Sequence, residues 1–286
     1  MKQPTVHALI MCLLPISVLA NEPIKIGLNF PRTGNYKAEG LELMQGSLLA
    51  IEHINHHGGV LGRPLQLLSK NSASRAEKAQ RNVDELFRSD AKMIFGGATS
   101  EEAIAAGRRA RELGLPYFAL LSYANEVTGR EGHRYIFHES NNNWMSAQVL
   151  GEYLSWHMPR QRYHYIISND TQRYNEYPGN AAASAYSVVY QWADAVQRTG
   201  SLDSETIIKA LEDHSYQLLK GSQQWRGFDH QNVQDIYAIR VKSRAEIMQD
   251  PLKQDYFEII HRMQGQDAVQ SLDDWQQERG EHLTLD

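Results

Sequence analysis

A chain of 286 residues, 42% apolar and 22% charged, has the composition of an ordinary globular protein rather than a disordered one, with enough apolar surface for one large core or two smaller ones. Its 29 basic residues against 34 acidic ones argue against a nucleic-acid partner. The single cysteine, Cys12, excludes an internal disulfide framework.

The elements are taken in chain order. MKQPTVHALIMCLLPISVLA carries Lys2, an apolar stretch from Ala8 to Leu19 and a small residue at Ala20. The apolar run is too short for a spanning helix and fits a secretory signal processed after Val18-Leu19-Ala20. Cleavage there removes Cys12, and with it any thiolate nucleophile or Cys-metal site. It also removes Lys2, which takes the formal net charge from −5 to −6. No later stretch is apolar enough to span a membrane, so the expected product is soluble, exported and, most simply, periplasmic.

Ile24 to Phe30 reads as a strand entering the loop PRTGNY. Leu41, Met44, Leu48, Ile51 and Ile54 then recur at steps of three and four, one face of a helix, which Gly58-Gly59 ends. PLQLLSK is a strand. Ser74 with Glu77 is a capping-box pattern opening a helix to about Ser89. Met93–Gly97, Pro116–Leu121 and Tyr135–His138 read as strands, and 101–113 and 144–157 as helices. Further on come a strand at 163–168 and a helix beginning near Ala181, with Ala185, Val188, Val189, Trp192 and Val196 on a core-facing stripe. A strand at Asp235–Val241 and tail helices at about 253–263 and 272–279 complete the chain. Short apolar strands alternating with amphipathic helices predict an α/β fold with a doubly wound parallel sheet. Its ligands belong beyond the carboxyl ends of the strands.

Several segments, in order, carry a resemblance: IKIGLNFPRTGNYKAEG, AIEHINHHGGVLGRPLQLL, MIFGGATSEEAIAAGRRARELGLPYFALLS, YIFHESNNNWMSAQVLGEYL and AAASAYSVVYQWADAVQRTGSLDSETIIKAL. Together they resemble periplasmic substrate-binding proteins of ABC transporters, in the branched-chain amino-acid (Leu/Ile/Val) and amide-binding group. The resemblance implies a type I periplasmic-binding fold: two α/β lobes joined by crossing strands, closing on a ligand between them. It also implies a ligand that is a small amino acid or related amide, the importer's permease subunits as partners, a monomer, and no catalysis or cofactor. A sensor or regulatory protein of the same fold is the alternative. A hydrolase of small substrates is a further one, and it lacks a paired nucleophile and base.

On that plan residues 1–20 are the signal, 21–140 the first part of lobe one, 141–173 a remnant of lobe two, 174–234 the return to lobe one, and 235–286 a return strand and tail helices. YIISNDTQRYNEYPGNAAAS joins a lobe-two strand to a late lobe-one helix across only about a dozen residues. The family places several βα units there, at roughly 30 residues each. The expectation is therefore a deletion of most of lobe two, with its junction at Asp170 to Arg173, and impaired binding; the alternative is a naturally compact variant whose chain crosses back early.

Gly96-Gly97-Ala98-Thr99-Ser100 lies between a strand end and a helix start, where free N–H groups and a hydroxyl can hold a carboxylate. Helix capping alone also explains Thr99 or Ser100. The resemblance makes Ala98, Thr99 and Ser100 ligand contacts, although Glu101 and Glu102 put negative charge near any bound anion. Ser122 and Tyr123 end the next strand at the same sheet edge, and Tyr36 is placed to wall the pocket. Asp170 is a candidate for the ligand's ammonium by position only. His53, His56 and His57 have helical spacing at a helix C-terminus, where the dipole favours histidine; they are read as that rather than as metal ligands.

Overall fold

The computed structural model describes residues 22–157, 179–280 and 284–285. The expected signal, the strand at 163–168 and the junction at Asp170 to Arg173 lie outside them. Five parallel strands form the central sheet: β1 (Ile24–Phe30), β2 (Leu65–Asn71), β3 (Ile94–Gly96), β4 (Tyr117–Ala119) and β5 (Ile136–His138), in the order β2-β1-β3-β4-β5. The order reverses between β1 and β3, which makes their carboxyl ends the switch point at which open α/β sheets bind ligands.

The strands alternate their side chains between two helical layers. Ile26, Leu28, Phe95, Phe118 and Phe137 join the larger core, beneath α1 (Lys37–His56), α5 (Asn180–Thr199) and α6 (Ser204–Leu211). Ile94, Tyr117, Ala119 and Ile136 join the second core, beneath α2 (Ala76–Arg88) and α3 (Ser100–Glu112). The α5 stripe read from the sequence is core: Ala185, Val188, Val189, Trp192 and Val196 are all fully buried.

Between these layers and the tail lie α4 (Asn143–His157) and an antiparallel hairpin of β6 (Ser215–Leu218) and β7 (Gly221–Trp225), with β8 (Asn232–Val233) beside β7. Trp225 fixes the hairpin to the main sheet, its ring 5.8 Å from Phe118 and 5.5 Å from Phe137. Beyond it, β9 (Ile236–Val241), α7 (Arg244–Ile247) and β10 (Phe257–Met263) form a two-stranded antiparallel ribbon, followed by α8 (Gly265–Ala268) and α9 (Leu272–Arg279). Met145 and Val149 of α4 pack on its inner side against Ile236, Ala238, Met263 and Ala268, a small core of its own.

Two expectations are corrected. The helix expected at 253–263 is β10, because Phe257, Ile259 and Met263 pair in register with Val241, Ile239 and Ile236. Tertiary strand pairing overrides local periodicity here. Nor does Ser74 cap α2. It sits at φ 55°, and its hydroxyl accepts from the Tyr36 N–H at 3.3 Å, tying the loop after β1 to the loop after β2.

Candidate functional site

The carboxyl ends of β1, β3, β4 and β5 bring their loops to one edge. Ser100, in the first turn of α3, is the junction: its Oγ accepts from the N–H groups of Tyr123 at 3.2 Å and Ala124 at 3.1 Å. With both acceptor positions used, the hydroxyl retains only its hydrogen to donate. Helix geometry also leaves the N–H groups of Ser100 and Glu101 without intrahelical acceptors. Tyr123 in turn meets the start of α5, its hydroxyl accepting from Asn180 Nδ2 at 3.4 Å. Burial raises the Tyr123 pKa, with nearby Glu139 adding to it, so the phenol stays neutral and available as donor and acceptor.

The neighbouring residues have other duties. Thr99 is the N-cap of α3, its Oγ1 accepting from the Glu102 N–H at 3.2 Å. The Ala98 N–H donates to Glu102 Oε2 at 3.0 Å, and Glu102 is fully buried. An internal carboxylate therefore takes the donor that was expected to hold the ligand's. Glu101, by contrast, points to solvent. Ser122 is fully buried; its carbonyl accepts from His138 Nε2 at 2.5 Å, and its hydroxyl has no partner among the described residues. The carbonyl acceptor fixes the His138 proton on Nε2, and burial depresses the imidazole pKa to about 4. The backbone of Tyr36 is held by Ser74 and its ring packs, half-buried, against the larger core. Asp170 lies outside the described residues. His57 Nδ1 bonds the His53 carbonyl at 2.7 Å, and His53 meets the Tyr186 hydroxyl at 3.1 Å.

One constellation escaped the sequence. Glu139, directly after β5, is fully buried and accepts from Lys220 Nζ at 2.9 and 3.0 Å. Lys220, in the β6–β7 turn, also donates to Ser184 Oγ of α5 at 2.8 Å. Lys220 and Asn180 stand on the wall of a cavity of about 1010 Å³ between α4, the start of α5, the hairpin and the ribbon. Sequence separations of 81 and 36 residues give no spacing signal for this triad. Among the described residues no group of histidines, cysteines and carboxylates is arranged to hold a metal, and no helix is long and apolar enough to cross a membrane.

Comparison with known proteins identifies the family and the fold. The periplasmic binding protein family matches residues 23–173 and 168–246, and the chain belongs to that family. A Leu/Ile/Val-binding protein homologue of Brucella abortus is 33% identical over 115 residues, 40% of this chain and 28% of the relative's length. A second homologue, from Brucella melitensis, is 31% identical over 121 residues, 42% of this chain and 30% of its own. The chain thus matches less than a third of the length of these relatives. Among solved structures, an amino-acid ABC transporter substrate-binding protein from Pseudomonas fluorescens superposes with a TM-score of 0.74 at 18% identity, over 86% of this chain and 96% of its own. A leucine-, isoleucine-, valine-, threonine- and alanine-binding protein from Brucella ovis, in its closed conformation, gives 0.70 at 15%, over 87% and 97%. The fold is that of the type I periplasmic binding proteins.

Proposed function

We propose that the chain is an exported solute-binding protein of an ABC importer, without catalysis, whose ligand is a small amino acid of branched-chain type or a related amide. The observation that carries this is the convergence at Ser100: its hydroxyl and the first turn of α3 lie at the carboxyl edge of the sheet, against the Tyr123–Ala124 backbone, with Tyr123 bonded to Asn180. Tyr36 borders the same edge. Such donors suit a carboxylate or amide head. The named specificities of the Brucella relatives and of the superposed structures supply the ligand class. At the sheet edge His138 meets Ser122 through its carbonyl rather than its hydroxyl, which favours binding over the hydrolase reading.

The second wall of the cleft is abbreviated in this reading. The two family matches meet at residues 168–173, where the sequence places its junction. Pockets of this type enclose about 70–90% of a ligand's surface, and one wall offers less. The expected affinity is therefore weak. A melting curve with a panel of amino acids and small amides tests both parts, because a ligand that binds only the folded state raises the midpoint. A rise at millimolar ligand that Ser100→Ala abolishes is the expected result. A rise at micromolar ligand would mean that the cleft is complete; no rise with any member of the panel would remove the receptor reading.

A further inference from the structure

The buried carboxylates near the sheet edge have duties inside the protein, with one exception. Glu102 takes the Ala98 N–H, and Glu139 takes the Lys220 ammonium. Glu42 lies against Gly179, the N-cap of α5, where the helix dipole favours an acid. Glu39 is the exception. It stands in the first turn of α1, on the face that continues through Leu43, Gly46 and Ala50, and only 8% of it is exposed. Among the described residues no group donates a hydrogen bond to its carboxylate and no cation pairs with it. The dipole of α1 favours an acid in this turn, but that gain is small beside the hydration a buried carboxylate gives up. Such a group requires a partner from outside the chain.

The surroundings of Glu39 define that partner. α1 follows β1, so its N-terminus stands at the carboxyl edge of the sheet. Helical side chains lean toward the N-terminus, which turns Glu39 to the edge that holds Ser100 and Tyr123. Its charge reaches the Tyr123 hydroxyl: burial raises the Tyr123 pKa, and Glu139 and Glu39 add to it. Lys220 neutralises Glu139, which leaves Glu39 as the uncompensated charge of the two. Tyr123 therefore joins two unlike ends of one site. Its N–H is held by the Ser100 hydroxyl at 3.2 Å, and its phenol lies within the field of a carboxylate. We propose that Glu39 accepts the ammonium group of the ligand, so that the site takes a positively charged amine, as in an α-amino acid, and rejects a neutral amide. The proposal rests on the receptor reading above and deepens it: the carboxylate of the ligand goes to Ser100 and its ammonium to Glu39. It also moves the ammonium contact from Asp170 to the first helix of lobe one, where an abbreviated second wall does not remove it.

Four probes of similar size separate the groups. L-leucine carries ammonium and carboxylate, isopentylamine the ammonium alone, 4-methylpentanoate the carboxylate alone, and 4-methylpentanamide neither charge. Melting curves at neutral pH read their binding to the folded protein. Leucine and isopentylamine should raise the midpoint, and the two probes without an ammonium should not at the same concentration. Glu39→Gln should weaken leucine by about tenfold or more, the loss expected for a hydrogen bond to a charged group. Glu52→Gln, which removes a carboxylate from the exposed side of α1, should leave the leucine response unchanged. Without any probe, Glu39→Gln should not lower the midpoint; a lowered one would reveal an internal partner and overturn the proposal. Equal responses to leucine and 4-methylpentanoate, or a leucine response that Glu39→Gln leaves intact, would overturn the role of Glu39 and leave the receptor reading standing. A response to isopentylamine alone, lost in Glu39→Gln, would keep the ammonium site and remove the carboxylate from that reading. No response to any of the four would overturn both.

Discussion

Lys220 uses all three ammonium hydrogens inside the protein, two on the carboxylate of Glu139 and one on Ser184. Glu139 is fully buried, and the Lys220 side chain is 16% exposed. Removing one partner of such a pair leaves the other charge uncompensated in a buried site, at a cost of roughly 3–5 kcal/mol, whereas replacing both by apolar or neutral groups is far milder. Lys220→Met should therefore lower the stability by that amount, and Glu139→Gln/Lys220→Met should recover most of it. Urea denaturation of the wild type, the single variant and the double variant measures both. Equal losses in single and double variants would show that Glu139 is solvated and that the pair does not hold the hairpin to α5. The Ser100 and Tyr123 neighbourhood was legible from the chain because both follow strand ends in sequence. Glu139 and Lys220 were not, because a hairpin far along the chain brings them together and neither lies in a motif. Ala98 was legible as a free N–H only until Glu102, four residues on, was found folded back over it.

At the scale of elements, α1 and α5 lie against each other over the larger core, and Gly46 sets their separation. A β-carbon at Gly46 would stand 2.1 Å from the Ala182 carbonyl oxygen, which is backbone and has no side-chain rotamer by which to move aside. Gly46→Ala must push the helices apart, and overpacking of this kind costs about 1–3 kcal/mol. A lowered urea midpoint at unchanged slope is the expected signature. A gain from better helix propensity, which Ala brings over Gly, would show that the two helices are not in contact at this point. The helix α5 was readable because its apolar residues keep a helical period over 20 residues. α1 was read as a helix with Leu41, Met44, Leu48, Ile51 and Ile54 on one face, but Leu41 and Leu48 are half exposed and Leu43 and Ala50 fully buried. Small residues such as Gly46 and Ser47, not only large apolar ones, make up the face against α5. The β6–β7 hairpin was not readable: SYQL and GSQQW hold a single aliphatic residue between them, and their stability comes from Trp225 docking on Phe118 and Phe137. The β10 segment read as a helix because its apolar residues do not alternate cleanly, and the bulge between Ile259 and His261 is the physical reason.

The whole molecule divides its apolar burial unequally. The central sheet is covered on both faces by extensive cores, whereas among the described residues α4, the ribbon and Ala268 of α8 share a core of only six buried hydrophobic residues. A two-stranded ribbon is marginal by itself, and few buried contacts mean a low free energy of local opening. The parallel sheet was readable from the chain as alternating strands and helices. The thinness of this second unit was signalled only by the short stretch of chain between the strand expected at 163–168 and the helix expected to begin near Ala181. Amide hydrogen exchange should resolve two classes: the amides of β1, β3 and β4 exchanging through global unfolding, and those of β9 and β10 exchanging through a sub-global opening at lower free energy. Uniform protection across both classes would mean that the ribbon and the sheet unfold as one cooperative unit, and that the small core around Met145 is better supported than its size implies.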